Sequence, residues 1–216
     1  MKTILLLLTF VPTILFGQQT KKVTDKENNE TFYVLKSDRA TKHGEYKKFR
    51  HKDKLLVKGY YTQGVKDSIW ECYDFEGQPT LKYDYTKKEV VLYKPSELAK
   101  ELKYRIINAD NISDSTLSRP PIYLSGNEFI RSEVARNIHY PITAAENGKS
   151  GKVYVSFTVD KYGKTKNFHV KAPLGYGMDE EAVRVLKLIP DNWLPGLLNG
   201  QLVDVEVIYP IIYRLK

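Results

Sequence analysis

Residues 151–170 read GKVYVSFTVDKYGKTKNFHV, and their pattern decides the fold of the second half of the chain. Val153, Val155, Phe157 and Val159 alternate with Lys152, Tyr154, Ser156 and Thr158. That period of two is the signature of a half-buried strand. Asp160-Lys161-Tyr162-Gly163 supplies a turn, and Phe168 and Val170 mark the returning strand. Downstream, Asp179 is a candidate helix N-cap, and Ala182, Val183, Leu186 and Ile189 line one face of the helix it would open. Pro190 and Pro195 enclose an irregular run around Trp193, and Asn199-Gly200 is a hairpin signal. From Val203 alternation resumes: Val205, Val207, Tyr209, Ile211, Tyr213 and Leu215 share a face, opposite Asp204, Glu206, Ile208, Ile212 and Arg214.

Pro210 lies inside this last strand. Proline has no N–H to give a ladder, so the strand belongs at a sheet edge or bears a bulge. Two readings follow. Unpaired edge amides accept a peptide as an added strand, or the proline blunts the edge against aggregation.

On the amino-terminal side, EFIRSEVARNI (128–138) places Phe129, Ile130, Val134 and Ile138 near helical spacing, and Tyr140-Pro141 ends that helix. Ser96 is a candidate cap for a short helix, SELAKELKYRII, with Leu98, Leu102 and Ile106 on one face. NADNISDSTLSRPP reads as a linker.

The front half has a different texture, with short runs rich in Tyr, Phe, Val and Lys between Gly and Asp. HGEYKKFRHKDKLLVKGYYTQGVK (43–66) aligns with DSIWECYDFEGQPTLKYDYTKKEV (67–90). Tyr46 falls on Trp70, Phe49 on Tyr73, Lys58 on Lys82, Tyr61 on Tyr85 and Thr62 on Thr86, an offset of 24 each time. A fixed period of this size predicts stacked units. Here each unit is two strands, and the product is an antiparallel meander with a partial earlier copy from Thr31. Gly64 and Gly77 suit tight turns. The segments HGEYKKF, KGYYTQG and DSIWECYDFEG resemble MORN-like repeats, with Ser68 where such repeats carry Gly.

Lys2, the apolar run Ile4–Phe16 and Gly17 have the layout of a secretory signal. The run is about 13 residues, short of the roughly 20 needed to cross a bilayer. Cleavage would leave a soluble protein of the exported space; retention would leave a membrane anchor. Cys72 is the single cysteine, so no disulfide framework is available. The formal net charge is +8. In an exported protein that charge does not point to nucleic acid. Lys36, Arg39, Lys42, Lys47, Lys48, Arg50, Lys52 and Lys54 are instead a candidate contact with an anionic envelope surface, or a solvated strand face.

Catalytic equipment is not evident. His43, His51, His139 and His169 form no ligand-spaced motif, so neither a metal nor another cofactor is expected. Cys72 beside Trp70 reads as a packing residue, and the acidic run Asp179-Glu180-Glu181 suits a helix amino terminus. Gly175 and Gly177 lack the Lys-Ser/Thr of a phosphate loop.

Several elements in order resemble the TonB carboxy-terminal domain family: the Tyr-Pro after the first helix, the Gly-x-Val-x-Val-x-Phe-x-Val strand, the D-x-x-G turn, the E-A-x-R-V helix, the W-x-P-G segment, the Asn-Gly turn and the P-I-x-x-x-L ending. The resemblance implies a non-enzymatic domain that docks onto TonB-dependent outer-membrane transporters. A transporter TonB-box segment would pair with the terminal strand. Carried over, the pairing residues are Val203, Asp204, Val205, Glu206, Val207, Ile208 and Tyr209, with Arg136, Asn137, His139 and Tyr140 as a second contact. An exposed edge also permits a homodimer.

The expectation is therefore an α+β protein. It comprises a signal (1–17), a flexible leader (18–30), a MORN-like β-meander (31–94), a short helix and linker (95–119), and a TonB-like domain (120–216). That last domain is expected as an antiparallel three-stranded sheet with two helices.

Overall fold

The computed structural model describes residues 18–50, 53–95, 97–107, 112–113 and 117–215. The signal segment and the Ser96 cap lie outside them. The protein is α+β. Its front half is one seven-stranded antiparallel meander: β1 (Thr20–Asp25), β2 (Glu30–Leu35), β3 (Lys42–Phe49), β4 (Leu55–Thr62), β5 (Val65–Tyr73), β6 (Pro79–Asp84) and β7 (Glu89–Tyr93), paired in that order. The leader expected at 18–30 is thus largely strand. Val23 pairs with Phe32, so β2 supplies a partner that no local pattern announces.

The repeat explains the meander. Tyr46 and Trp70, equivalent in the two copies, stack at 5.3 Å between ring centroids, and Tyr61 and its equivalent Tyr85 stand edge-on to Trp70 at 5.1 and 5.7 Å. Gly59 makes this possible. A Cβ there would sit 2.2 Å from the Trp70 ring, so the indole lies directly on the β4 backbone. On the other face Glu71 of β5 lies opposite Lys58 of β4 and Lys82 of β6. Its carboxylate oxygens bridge both lysines at 3.1 Å. Burial opposes ionisation of Glu71, but the hydrogen bonds from Lys58 and Lys82 outweigh it and hold the carboxyl below its ordinary value. Ser68, one period after Gly44, adopts the same left-handed sign with φ 57°, its N–H held by Asp67 Oδ1 and Thr86 Oγ1.

Next come α1 (Glu97–Glu101), β8 (Lys103–Ile107), β9 (Ile112–Ser113), β10 (Ile122–Tyr123), α2 (Asn127–Asn137) and α3 (Ile142–Glu146). They are followed by β11 (Gly151–Val159), β12 (Thr165–Ala172), α4 (Met178–Lys187), β13 (Trp193–Leu194), β14 (Gly196–Leu198) and β15 (Gln201–Tyr213). The expected three strands are present as β12-β11-β15, and β8 and β9 extend that sheet, with β14 hairpinned onto β15. Asn199 and Gly200, at φ 49° and 81°, make that hairpin turn. Val153, Val155, Val159 and Val207 form the floor of the core, roofed by α2 and α4 through Ile130, Ala182 and Val185.

Two local expectations change. The helix after Pro95 stops at Glu101, and Lys103–Ile107 is strand, not helix. Tyr104, Ile106 and Ile107 are β-formers, and β15 offers them a full ladder. Asp179 does not cap α4. Its oxygens accept the Leu174 and Gly175 N–H groups and so fix the preceding loop.

The meander is seated against α2. Lys48 of β3, only 3% exposed, reaches Glu30 at 3.2 Å and Glu133 of α2 at 3.0 Å. Buried Cys72 lies against Gly126 at the start of α2, where a Cβ would come within 2.8 Å of it.

Two outcomes test these accounts. Gly59→Ala should cost about 1–3 kcal/mol in thermal or denaturant unfolding by forcing the indole off the sheet. Glu71→Gln should cost about 1 kcal/mol at neutral pH. Because the folded-state pKa of Glu71 is depressed, that contribution is present above the unfolded carboxylate pKa and is lost as pH falls through the folded value. Wild type and Glu71→Gln should therefore converge in acid.

Candidate functional site

The residues carried over as docking positions fall into two groups with different surroundings. Val203 pairs with Gly196 of β14, and Asp204–Ile208 pair with Ile107–Lys103 of β8 while also pairing with β11 or its turn. Their side chains are engaged too. Val205 and Val207 are fully buried. Asp204 accepts the Lys161 N–H at 2.9 Å and the Lys166 ammonium at 3.0 Å. Glu206 meets Lys171 at 2.7 Å. Tyr209 is buried in the core. The stretch read as an exposed edge is therefore interior for most of its length. The reason is β8, whose residues the sequence pattern assigned to a helix.

The edge reading survives farther along. Beyond Ile208, β15 pairs with β11 alone among the described strands, from Tyr209↔Val155 to Tyr213↔Gly151. Pro210 falls in this half, where the edge rule admits it. Alongside runs a groove of about 440 Å³ between α1 and α2. Val134, Ala135 and Ile138 form its apolar wall, Pro210 and Ile212 its floor, and Lys152 and Glu101 pair across it at 3.4 Å.

The second group, the corner after α2, adjoins this open half. Tyr140 stands edge-on to Tyr213 at 5.5 Å and its hydroxyl donates to Lys149 O. Tyr213 in turn donates to Met178 O at 2.9 Å. Glu181, read from the sequence only as a helix-terminus charge, and Arg184 shape this corner. Glu181 accepts the His139 backbone N–H at 2.7 Å, and Arg184 donates to Asn137 O at 2.7 Å and to Glu181. Hydrogen bonds from Arg184, with the His139 N–H, hold the Glu181 carboxyl below the usual range. The i,i+3 spacing of Glu181 and Arg184 was visible in the sequence; their long-range target was not. The His139 side chain itself points to solvent, 81% exposed. Arg136 faces the other way, paired with Glu133 and donating to Asn28 Oδ1 at 3.0 Å in the meander.

Residues 136–215 match the family model of the Gram-negative bacterial TonB protein C-terminal. The TonB C-terminal match opens at Arg136, in the last turn of α2, and closes after β15. It includes the corner, β11, β12, α4 and the open half of β15. The capping strand β8 precedes it. Neither a curated protein nor a solved structure matches the chain. The matched family is a transport-associated, non-enzymatic one of the cell envelope. Among the described residues, no helix is long and apolar enough to cross a membrane.

The basic run of the meander is largely engaged. Lys42 and Lys48 reach Glu30, Lys47 reaches Glu45 at 2.8 Å, and Arg50 stacks on Phe75 at 3.9 Å. Lys52 lies outside the described residues.

Hydrogen exchange separates the two halves of β15. Every amide from Asp204 to Ile208 should be protected, because the strand is paired on both sides. Between Tyr209 and Tyr213 protection should alternate. Alternating protection at 204–208, the pattern of a strand paired on one side only, would remove β8 from the edge.

Proposed function

We propose that this chain is a TonB-like periplasmic protein that docks onto TonB-dependent outer-membrane transporters and supports energy-coupled transport. The docking mode is strand addition: a transporter segment, the TonB box, pairs with the open half of β15. What supports this most is the coincidence of the TonB C-terminal match with a groove that runs beside an unpaired strand edge. Strand addition draws affinity from main-chain hydrogen bonds and register from side-chain pockets. The contact is therefore shifted from the pairing set Val203–Tyr209 toward Tyr209–Arg214, with His139 and Tyr140 at its end. Arg136 is given to the meander instead. Residues 1–17 would direct export, by cleavage or as an anchor.

A second reading is favoured by one observation. The meander sits directly on α2 through Lys48, Glu133 and Arg136. A repeat module fixed to the docking domain in this way suits a soluble envelope adaptor that holds a partner without transmitting force.

The docking mode has a direct test. Isotope-labelled full chain is titrated with a TonB-box peptide from a transporter of the same cell. The amides of Ile211–Arg214 should shift, while those of Val205 and Val207 stay in place. Ile212 is 40% exposed, and Ile212→Asp should weaken binding at least tenfold. Leu202→Asp, on the exposed hairpin, should leave it unchanged. Saturating peptide with no shift along 211–214, or full binding by Ile212→Asp, would sink the proposal.

A further inference from the structure

Between the aromatic ladder of the meander and the loops of the TonB-like region lies a cleft of about 320 Å³. Its size is at the lower end of ligand sites, which hold roughly 300–1,000 Å³ and favour seams between structural units. Tyr46, Tyr61 and Lys66 line it from the meander; Ser125, Phe129 and Asn192 line it from the other side. Its walls are ring faces, and its polar groups are mostly donors.

Lys66 is the central one. Its Nζ stands 4.5 Å from the centroid of the Trp70 ring and 5.1 Å from that of Tyr85, and donates to the Tyr85 hydroxyl at 3.2 Å. Lys42, Lys47, Lys48, Lys58 and Lys82 of the same sheet each reach a carboxylate. Among the described residues, Lys66 reaches none. Burial pulls its pKa down to about 8, the mark of a cation removed from water without a counter-ion. The Tyr61 hydroxyl, on the next strand, makes no hydrogen bond among the described residues, and burial pushes it up to about 12. Ser125 accepts from Asn192 Nδ2 at 2.8 Å and keeps its own O–H to give. The carboxylate on the rim, Asp191, is taken by the Thr165 N–H and hydroxyl and by Lys164.

An ammonium and two hydroxyl donors on a ring-lined cleft call for an acceptor-rich ligand with a flat apolar face. The faces of a pyranose carry C–H groups that pack on Tyr and Phe rings, while its hydroxyls meet Ser, Asn and Tyr. We propose that this cleft binds an acidic sugar, a pyranose bearing a carboxylate or a phosphate, with Lys66 on the anion and Tyr61 and Ser125 donating to the sugar oxygens. This site is separate from the β15 groove and does not depend on docking there.

The full chain is titrated with glucuronate, glucose 6-phosphate, glucose, benzoate and inorganic phosphate. The readout is the Trp70 indole N–H, which donates to Tyr60 O at 3.1 Å beneath Lys66. One of the two acidic sugars should move this resonance saturably and leave that of Trp193 in place. The tighter of the two identifies the anion. Glucose, benzoate and inorganic phosphate should each bind at least tenfold more weakly. Lys66→Met should lose tenfold or more and Tyr61→Phe several-fold, and wild-type binding should weaken as salt is raised. The salt series needs no variant, so it stands even where Lys66→Met unfolds the chain. Binding by neither acidic sugar, equal binding of any control, or wild-type affinity in a folded Lys66→Met protein would overturn the proposal.

Discussion

The ladder made by β15 is the constraint on which the carboxy-terminal half rests. Of its thirteen residues, Gln201–Val203 pair with β14, Val205–Tyr213 with β11, and Asp204–Ile208 with β8 on the edge that β11 leaves open. A strand paired on both sides has no free amides, and one paired on a single side offers every second one. The position at which β8 stops therefore decides where a partner strand can be received. It stops at Ile208, two residues before a proline that could not have continued a full ladder. Pro210 thus marks the boundary between structure and surface on one and the same strand.

The seam between the two halves follows a different physics. A lysine at 3% exposure carries a large desolvation cost, and two carboxylates from different modules offset it. Removing either Glu30 or Glu133 leaves the cation underpaired, so the meander and α2 are tied by a contact that neither can satisfy alone. The same seam leaves Lys66 with rings and, among the described residues, no carboxylate. Whether a buried cation is a structural fastening or a receptor is settled by what lies within reach of its nitrogen.

Much of this was legible in the chain. The alternation at 151–159 and 203–213, the Asn-Gly turn and the offset of 24 each encode a local or repeating geometry, and each was realised; Leu215, expected on the same inward face, falls beyond β15 and is exposed. What escaped was set by partners distant in sequence. Ile106 falls at helical spacing with Leu98 and Leu102, yet the strand form of Lys103–Ile107 comes from an edge contributed much later in the chain, at Asp204–Ile208. Thr20–Asp25 is polar and unpatterned because an outer strand at a sheet margin needs only backbone pairing. Asp179 has the residue type of a cap, but the loop amides of Leu174 and Gly175 compete for its oxygens and win. For the docking site, the strand and the corner could be read from the sequence. The register of the open edge could not, because it depends on β8.

Cys72 gives the molecule a practical property. Burial pushes its thiol up to about 12, and it sits at 1% exposure under the first turn of α2. The thiolate that alkylating and disulfide-forming reagents require is almost absent in the folded protein. Toward such reagents the native chain behaves as though it had no cysteine at all. A cysteine introduced at Ile212 or on the solvent side of α1 would be the one reactive thiol, and a fluorophore or cross-linker placed there would report on the open edge without engineering away the native residue.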